Sequence, residues 1–162
     1  MTASEYDACV AKHADNLYRF ALKSLRDSDQ AKDIVQESFL RLWENRQAVL
    51  SGKEKSYLFT IAYRLIVDDV RFAKRYGPND NLHLQADERS RREYDNPSEI
   101  VQRYIDRLPP RQRTLIMLRD YEGYSYREIA EMTSLSETQV KVYIFRARVS
   151  LRNEIGDINN IL

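Results

Sequence analysis

The residues of this chain best suited to chemistry are Lys141, Val142, Phe145 and Arg146, crowded onto one side of a stretch that reads as a helix. At about 100° per residue, Val140, Ile144, Ala147 and Leu151 fall in one narrow sector and form an inward stripe. Lys141, Val142, Phe145, Arg146, Val149 and Arg152 point the other way. A merely solvated face would be polar throughout. This one mixes cations with apolar groups, and from Gln139 to Arg152 it carries four basic residues and no acid. Cations suit phosphates and guanine edges and apolar groups suit thymine methyls, so the expected chemistry is noncovalent reading of a DNA groove. Thr138 and Gln139 lie near the helix start, where phosphate or base edges come within reach. Arg148 and Arg152 read as phosphate contacts or solvated charges. The competing reading is an ordinary core helix with a ragged outer face.

Such a helix needs an element to present it, and two helix starts are written eleven residues apart. Ser125-Tyr126-Arg127-Glu128 and Ser136-Glu137-Thr138-Gln139 both fit the capping box, in which a Ser oxygen caps the N–H three residues on and a Glu or Gln reaches back. Met132-Thr133-Ser134-Leu135 leaves room between them only for a tight turn. Two short helices so joined make a helix-turn-helix, whose second helix can enter a major groove.

Further upstream the pattern stays helical. Val10, His13, Leu17, Phe20, Ala21 and Leu25 keep the three-and-four spacing of an amphipathic helix, and Asp27-Ser28-Asp29 reads as a break and a new cap. The next helix, Gln30 to about Arg46, places Val35, Phe39 and Leu42 on one face and Asp33, Gln36, Glu37 and Leu40 on another. Gln47 to Lys55 is a polar loop with Gly52. Ser56 can cap a third helix with Leu58, Ile61, Ala62, Leu65, Ile66 and Phe72 facing inward. Tyr76-Gly77-Pro78 ends it, and the chain to Pro97 is too polar to bury a core. Beyond that linker, Ile100, Val101, Tyr104, Ile105 and Leu108 form a stripe stopped by Pro109-Pro110. Leu115, Ile116 and Leu118 then carry a short helix to Asp120. The expected fold is all-α: a helical domain over 1–76, a linker over 77–97, and a helix-turn-helix domain over 98–162.

Composition excludes other classes. No apolar run approaches the roughly 18 residues that span a bilayer, and the amino terminus lacks the basic start and apolar core of a signal peptide. A lone Cys9 allows no internal disulfide and points to a reducing cytoplasm. His13 and His83 have no metal-ligand spacing, the four glycines form no phosphate loop, and Asp68-Asp69 diverge by about 100° on a helix. An enzyme is therefore not expected, nor a metal or cofactor. Net charge is only +1, with ten basic and nine acidic groups in residues 98–162. Sequence-independent DNA affinity scales with the phosphates neutralised, so this chain should bind DNA poorly by itself.

With both units in view, the chain resembles the bacterial alternative sigma factors of the extracytoplasmic-function type, two-domain members of the sigma-70 family. Three blocks carry the resemblance in the family's order: Asp33-Ile34-Val35-Gln36-Glu37-Ser38-Phe39-Leu40-Arg41-Leu42-Trp43; Tyr57-Leu58-Phe59-Thr60-Ile61-Ala62 with Asp68 and Arg71; and Leu108-Pro109-Pro110-Arg111-Gln112-Arg113 with the helix-turn-helix. The resemblance implies that Asp33, Gln36, Glu37 and Leu40 dock on core RNA polymerase. It implies that Lys55, Tyr57, Arg64, Asp68 and Arg71, with the Gln47–Ser56 loop, face the −10 strand of promoter DNA. It implies that Thr138, Gln139, Lys141, Val142, Phe145 and Arg146 read the −35 element. An anti-sigma partner, often at the membrane, is also common in the family. Arg64 stands where the family often has Asn, Tyr57 where it often has an indole, and Val142-Tyr143 where small or basic residues are common. Base preferences therefore do not carry over from relatives. The alternative is a stand-alone helix-turn-helix regulator, which would need a ligand pocket or receiver domain within residues 1–76.

Overall fold

A computed structural model of the protein describes residues 1–68 and 97–159. These form two compact units. All regular structure among the described residues is helical. No described helix is long and apolar enough to cross a membrane.

The amino-terminal unit packs three helices against one another: α1 (Ala3–Leu25), α2 (Ser28–Glu44) and α3 (Glu54–Asp68). α1 opens on a capping box in which the Glu5 N–H donates to Thr2 Oγ1 at 3.1 Å and the Thr2 N–H to Glu5 Oε2 at 2.9 Å. It ends at Arg26, in the left-handed region at φ 58°. Asp27 then caps α2 by accepting from the N–H groups of Asp29 and Gln30, which is the break and restart the sequence predicts. Leu17, Phe20, Leu25, Leu42, Leu58, Phe59 and Ile66 are buried, with the Phe20 and Phe59 rings 5.2 Å apart.

Two expectations need correction here. α2 buries Ile34, Ser38, Phe39 and Leu42, while Val35 is only half-buried. The stripe runs 34-38-42, and the Ser38 hydroxyl fits the core by donating to the Ile34 carbonyl at 2.7 Å. Ser56 does not cap α3. Turns through 45–52, with Gly52 at φ +86°, start the helix at Glu54, and Ser56 Oγ instead donates back to the Lys53 carbonyl. Arg71, Phe72, the expected helix end at 76–78 and the linker up to residue 96 lie outside the described residues.

The carboxy-terminal unit contains α4 (Pro97–Asp106), α5 (Pro110–Ile116), a π-helical turn (Met117–Tyr121), α6 (Tyr126–Thr133) and α7 (Glu137–Asn159). α4 and α5 both pack on α7, with Ile105, Leu108, Ile116 and Ala147 buried together and Leu151 against them. Val101, expected in the α4 stripe, is 36% exposed. Pro109 and Pro110 stop α4 and start α5, with Pro110 at the first helical position, where no backbone donor is missed.

The polar centre of this unit is Arg113, fully buried, whose Nη1 donates to the carbonyls of Asp106 at 3.0 Å and Leu108 at 3.2 Å. A side chain from α5 thus satisfies carbonyls left open where α4 ends. The short helix expected to reach Asp120 does so by widening into the π turn.

Candidate nucleic-acid interface

Both capping boxes form. The Glu128 N–H donates to Ser125 Oγ at 3.1 Å and the Ser125 N–H to Glu128 Oε1 at 3.1 Å. The Gln139 N–H donates to Ser136 Oγ at 3.1 Å and the Ser136 N–H to Gln139 Oε1 at 2.9 Å. α6 runs further than the sequence suggests, through Thr133, and Ser134 at φ 60° takes the left-handed step that ends it. The connection is therefore Ser134-Leu135-Ser136, not Met132 to Leu135.

On α7, Val140, Ile144 and Ala147 are buried. Thr138, Gln139, Lys141, Val142, Phe145, Arg146 and Arg152 are exposed, and Val149, expected to face outward, is half-buried. Phe145 is 68% exposed and Val142 40%. Glu137 Oε1 lies 3.6 Å from Lys141 Nζ. Arg148 is not simply solvated: its Nη2 donates to Asp120 Oδ1 at 2.9 Å and its Nη1 to the Tyr126 hydroxyl at 3.4 Å. Burial alone would lower its pKa, but the hydrogen bond and charge of Asp120, with Tyr126 adding, more than offset that and raise it. A phosphate at Arg148 would have to compete with this carboxylate.

The structure also brings in residues that the sequence pattern does not single out. Arg119 stacks 4.8 Å from the Tyr126 ring while donating to the Tyr124 carbonyl at 2.9 Å, and Lys141 Nζ lies 5.9 Å from the same ring. Tyr126 thus gathers three cations, Arg119, Lys141 and Arg148, beside the start of α7. Its signal in the sequence is slight, an aromatic directly after the Ser125 cap. Arg111 donates to the Tyr143 hydroxyl at 3.2 Å, so Tyr143 ties α7 to α5.

In the other unit, α3 presents Tyr57, Arg64 and Asp68 on one side, since separations of seven and eleven residues are close to whole numbers of helical turns. Arg64 and Asp68 are exposed and Tyr57 half-buried. Lys55 lies on a different side, its ammonium 5.8 Å from the Phe59 ring, and Tyr63 is buried in the core. The preceding loop is anchored at its start, where Arg46 stacks 3.9 Å over the Trp43 ring and donates to the Trp43 carbonyl at 2.7 Å. Trp43 in turn meets Tyr6, whose hydroxyl donates to the Phe39 carbonyl at 3.0 Å. An open polar hollow of about 340 Å³ follows, lined by Glu44, Asn45, Arg46, Gln47 and Ala48, with Leu50 72% exposed beyond it.

α2 shows Asp33, Gln36 and Leu40 exposed on one face, with Glu37 half-exposed and paired to Arg41 at 2.9 Å. Among the described residues no group of acidic, His or Cys side chains is arranged to hold a metal.

Two family profiles match this chain: sigma-70 region 2 over residues 9–76 and sigma-70 region 4 over residues 98–151. The chain belongs to the sigma-70 family. The ECF RNA polymerase sigma factor SigE of Mycolicibacterium smegmatis is 30% identical over 158 residues, covering 93% of this chain and 62% of that protein. RNA polymerase sigma factor SigV of Bacillus subtilis is 28% identical over 148 residues, covering 91% and 89%. Further relatives at 27–28% identity, SigL of Mycobacterium tuberculosis and SigM of Bacillus subtilis, are also named ECF RNA polymerase sigma factors, in agreement with the extracytoplasmic-function type. The fold is similar to that of the sigma factor RpoE of Bartonella quintana, solved in complex with the anti-sigma factor NepR, at a TM-score of 0.70 and 20% identity over 93% of this chain and 96% of that one. The region 2 match contains the α2 and α3 faces, and the region 4 match contains the helix-turn-helix.

Proposed function

We propose that this chain binds core RNA polymerase and directs it to promoters by recognising a −10 and a −35 element. The observation that carries the reading is a single one. One sigma-70 chain presents, in order, a carboxylate-and-leucine face on α2, a tyrosine-and-arginine face on α3, and a doubly capped helix-turn-helix whose outer side mixes cations with apolar groups. Residues 1–76 form the polymerase-binding and −10 domain, 77–97 the linker, and 98–162 the −35 domain.

Asp33, Gln36, Glu37 and Leu40 dock on the polymerase, a polar rim around an apolar contact. Tyr57, Arg64 and Asp68, with Lys55, Arg71 and the Gln47–Ser56 loop, accept the melted −10 strand, where aromatics stack on unpaired bases and cations hold the backbone. Thr138, Gln139, Lys141, Val142, Phe145 and Arg146 read −35. The chain acts in the cytoplasm as a loading factor, without cofactor or catalysis of its own. An anti-sigma factor is a further partner, as NepR is for the Bartonella quintana protein.

The test is transcription by core polymerase on fragmented genomic DNA with and without the purified chain. Chain-dependent starts sharing two upstream elements at one spacing are expected. No chain-dependent transcript from the whole pool would overturn the assignment.

A further inference from the structure

Val142 and Phe145 stand out on α7 because neither carries a hydrogen-bonding side chain, yet both are exposed, at 40% and 68%. The free chain leaves a large part of both side chains in contact with water, where burial against a partner would be favourable. They lie three residues apart, on adjoining turns of one helix face. Exposed cations flank them at Lys141, Arg146 and Arg152, and α7 carries no acid between Glu137 and Glu154. A face so fenced with positive charge matches a polyanion.

Within a major groove, the donors and acceptors of guanine, cytosine and adenine offer nothing to an isopropyl group or a phenyl ring. The one base-edge group they complement is the 5-methyl of thymine. Lys141 is drawn toward Glu137 and Tyr126, and Arg148 toward Asp120 and Tyr126. The apolar pair therefore occupies the middle of the exposed face, with Arg146 beside it for a polar base contact or a phosphate.

We infer that Val142 and Phe145 make this chain a reader of thymine methyl groups, so that its −35 element holds T·A pairs at neighbouring positions that are recognised by shape and apolar contact and not by hydrogen bonds. This rests on the assignment of α7 to the −35 element and specifies the chemistry of that site. It also assigns to Val142 a specificity-determining role.

The experiment uses the full chain with core polymerase. A promoter library randomised across −35 first yields the preferred element. Each thymine of that element, on either strand, is then replaced singly by deoxyuridine, which removes only the methyl and leaves every hydrogen-bonding group in place. Transcription should fall roughly fourfold at the contacted positions, the loss of one buried methyl. A Val142→Ala chain should lose sensitivity at one of those positions and keep it at the other, and Phe145→Ala the reverse. Placing 5-methylcytosine where cytosine is disfavoured at the same position should restore part of the activity.

A −35 preference that is indifferent to deoxyuridine at every thymine would overturn the inference while leaving −35 reading intact. So would a drop in transcription on Val142→Ala that is equal for thymine and deoxyuridine templates, which would mark the face as a protein contact. Absence of any −35 preference would overturn the assignment of α7 and this inference with it.

Discussion

The two units of this chain are held together by different physics. The first is three long helices around an apolar centre, Leu17, Phe20, Leu42, Leu58, Phe59 and Ile66, in which the hydroxyls of buried Ser24 and Ser38 bond back to carbonyls of their own helices. The second has shorter helices apart from α7 and depends on placed polar devices. A fully buried arginine closes the end of α4, two serine caps start α6 and α7, and an ion pair links α7 to the π turn. The described parts of the two units are of similar length, residues 1–68 and 97–159, so the difference lies in the shorter helices, which leave more open ends per residue for side chains to satisfy. It also suits the proposed task, because a helix that is to read bases has to be fixed in angle and start.

The largest loss of stability is expected from a cavity in the apolar centre of the first unit. Phe59→Ala should destabilise that unit by about 3–5 kcal/mol. Trp43, the only tryptophan of the chain, lies in the same unit, so its fluorescence follows the first unit during denaturant unfolding. The fluorescence midpoint should move sharply.

Arg113→Met removes the buried guanidinium at similar volume and leaves the Asp106 and Leu108 carbonyls unsatisfied. A loss of about 3 kcal/mol is expected in the second unit. Far-ultraviolet circular dichroism should show an early helical transition while the Trp43 transition stays in place. If both probes shift together, the units do not differ in the way described.

The smallest effect sharpens the contrast. Ser136→Ala should cost about 1 kcal/mol and should lower −35 use more than Ser125→Ala does, because only Ser136 starts the reading helix. Equal effects on promoter use would mean that the start of α7 is set by packing alone.

What is legible in the sequence follows the same divide. Both helix-turn-helix caps can be read because each is a bond between residues three apart. The inward stripe of α7 can be read because Val140, Ile144 and Ala147 keep the helical period. The exposure of Asp33, Gln36 and Leu40, and of Lys141, Val142, Phe145 and Arg146, follows from the same periodicity. Ile34 is masked by Ser38, a small polar residue that interrupts an apolar stripe but satisfies its own hydroxyl. Arg113 cannot be read as core, since a buried cation is tolerable only with acceptors that the fold brings to it. The Arg148–Asp120 pair spans 28 residues, and no local pattern announces it. Tyr126, with Arg119 on its ring, meets Lys141 and Arg148 of α7 for the same nonlocal reason.

On the proposed function, neither DNA contact is sufficient alone and the polymerase joins them. Near-zero net charge, with Lys141 and Arg148 already close to Glu137 and Asp120, leaves little for autonomous binding. Two linked sites gain by effective concentration, commonly about 10²–10⁴-fold. The direct measurement is a titration of one labelled cognate promoter with the chain alone, with core polymerase alone, and with both, at one fixed salt concentration. The chain alone should bind at least about a hundredfold more weakly than the combination, and core alone should show no preference for the promoter over scrambled DNA. Promoter-specific binding by the chain alone at the affinity of the combination would contradict this dependence on the polymerase.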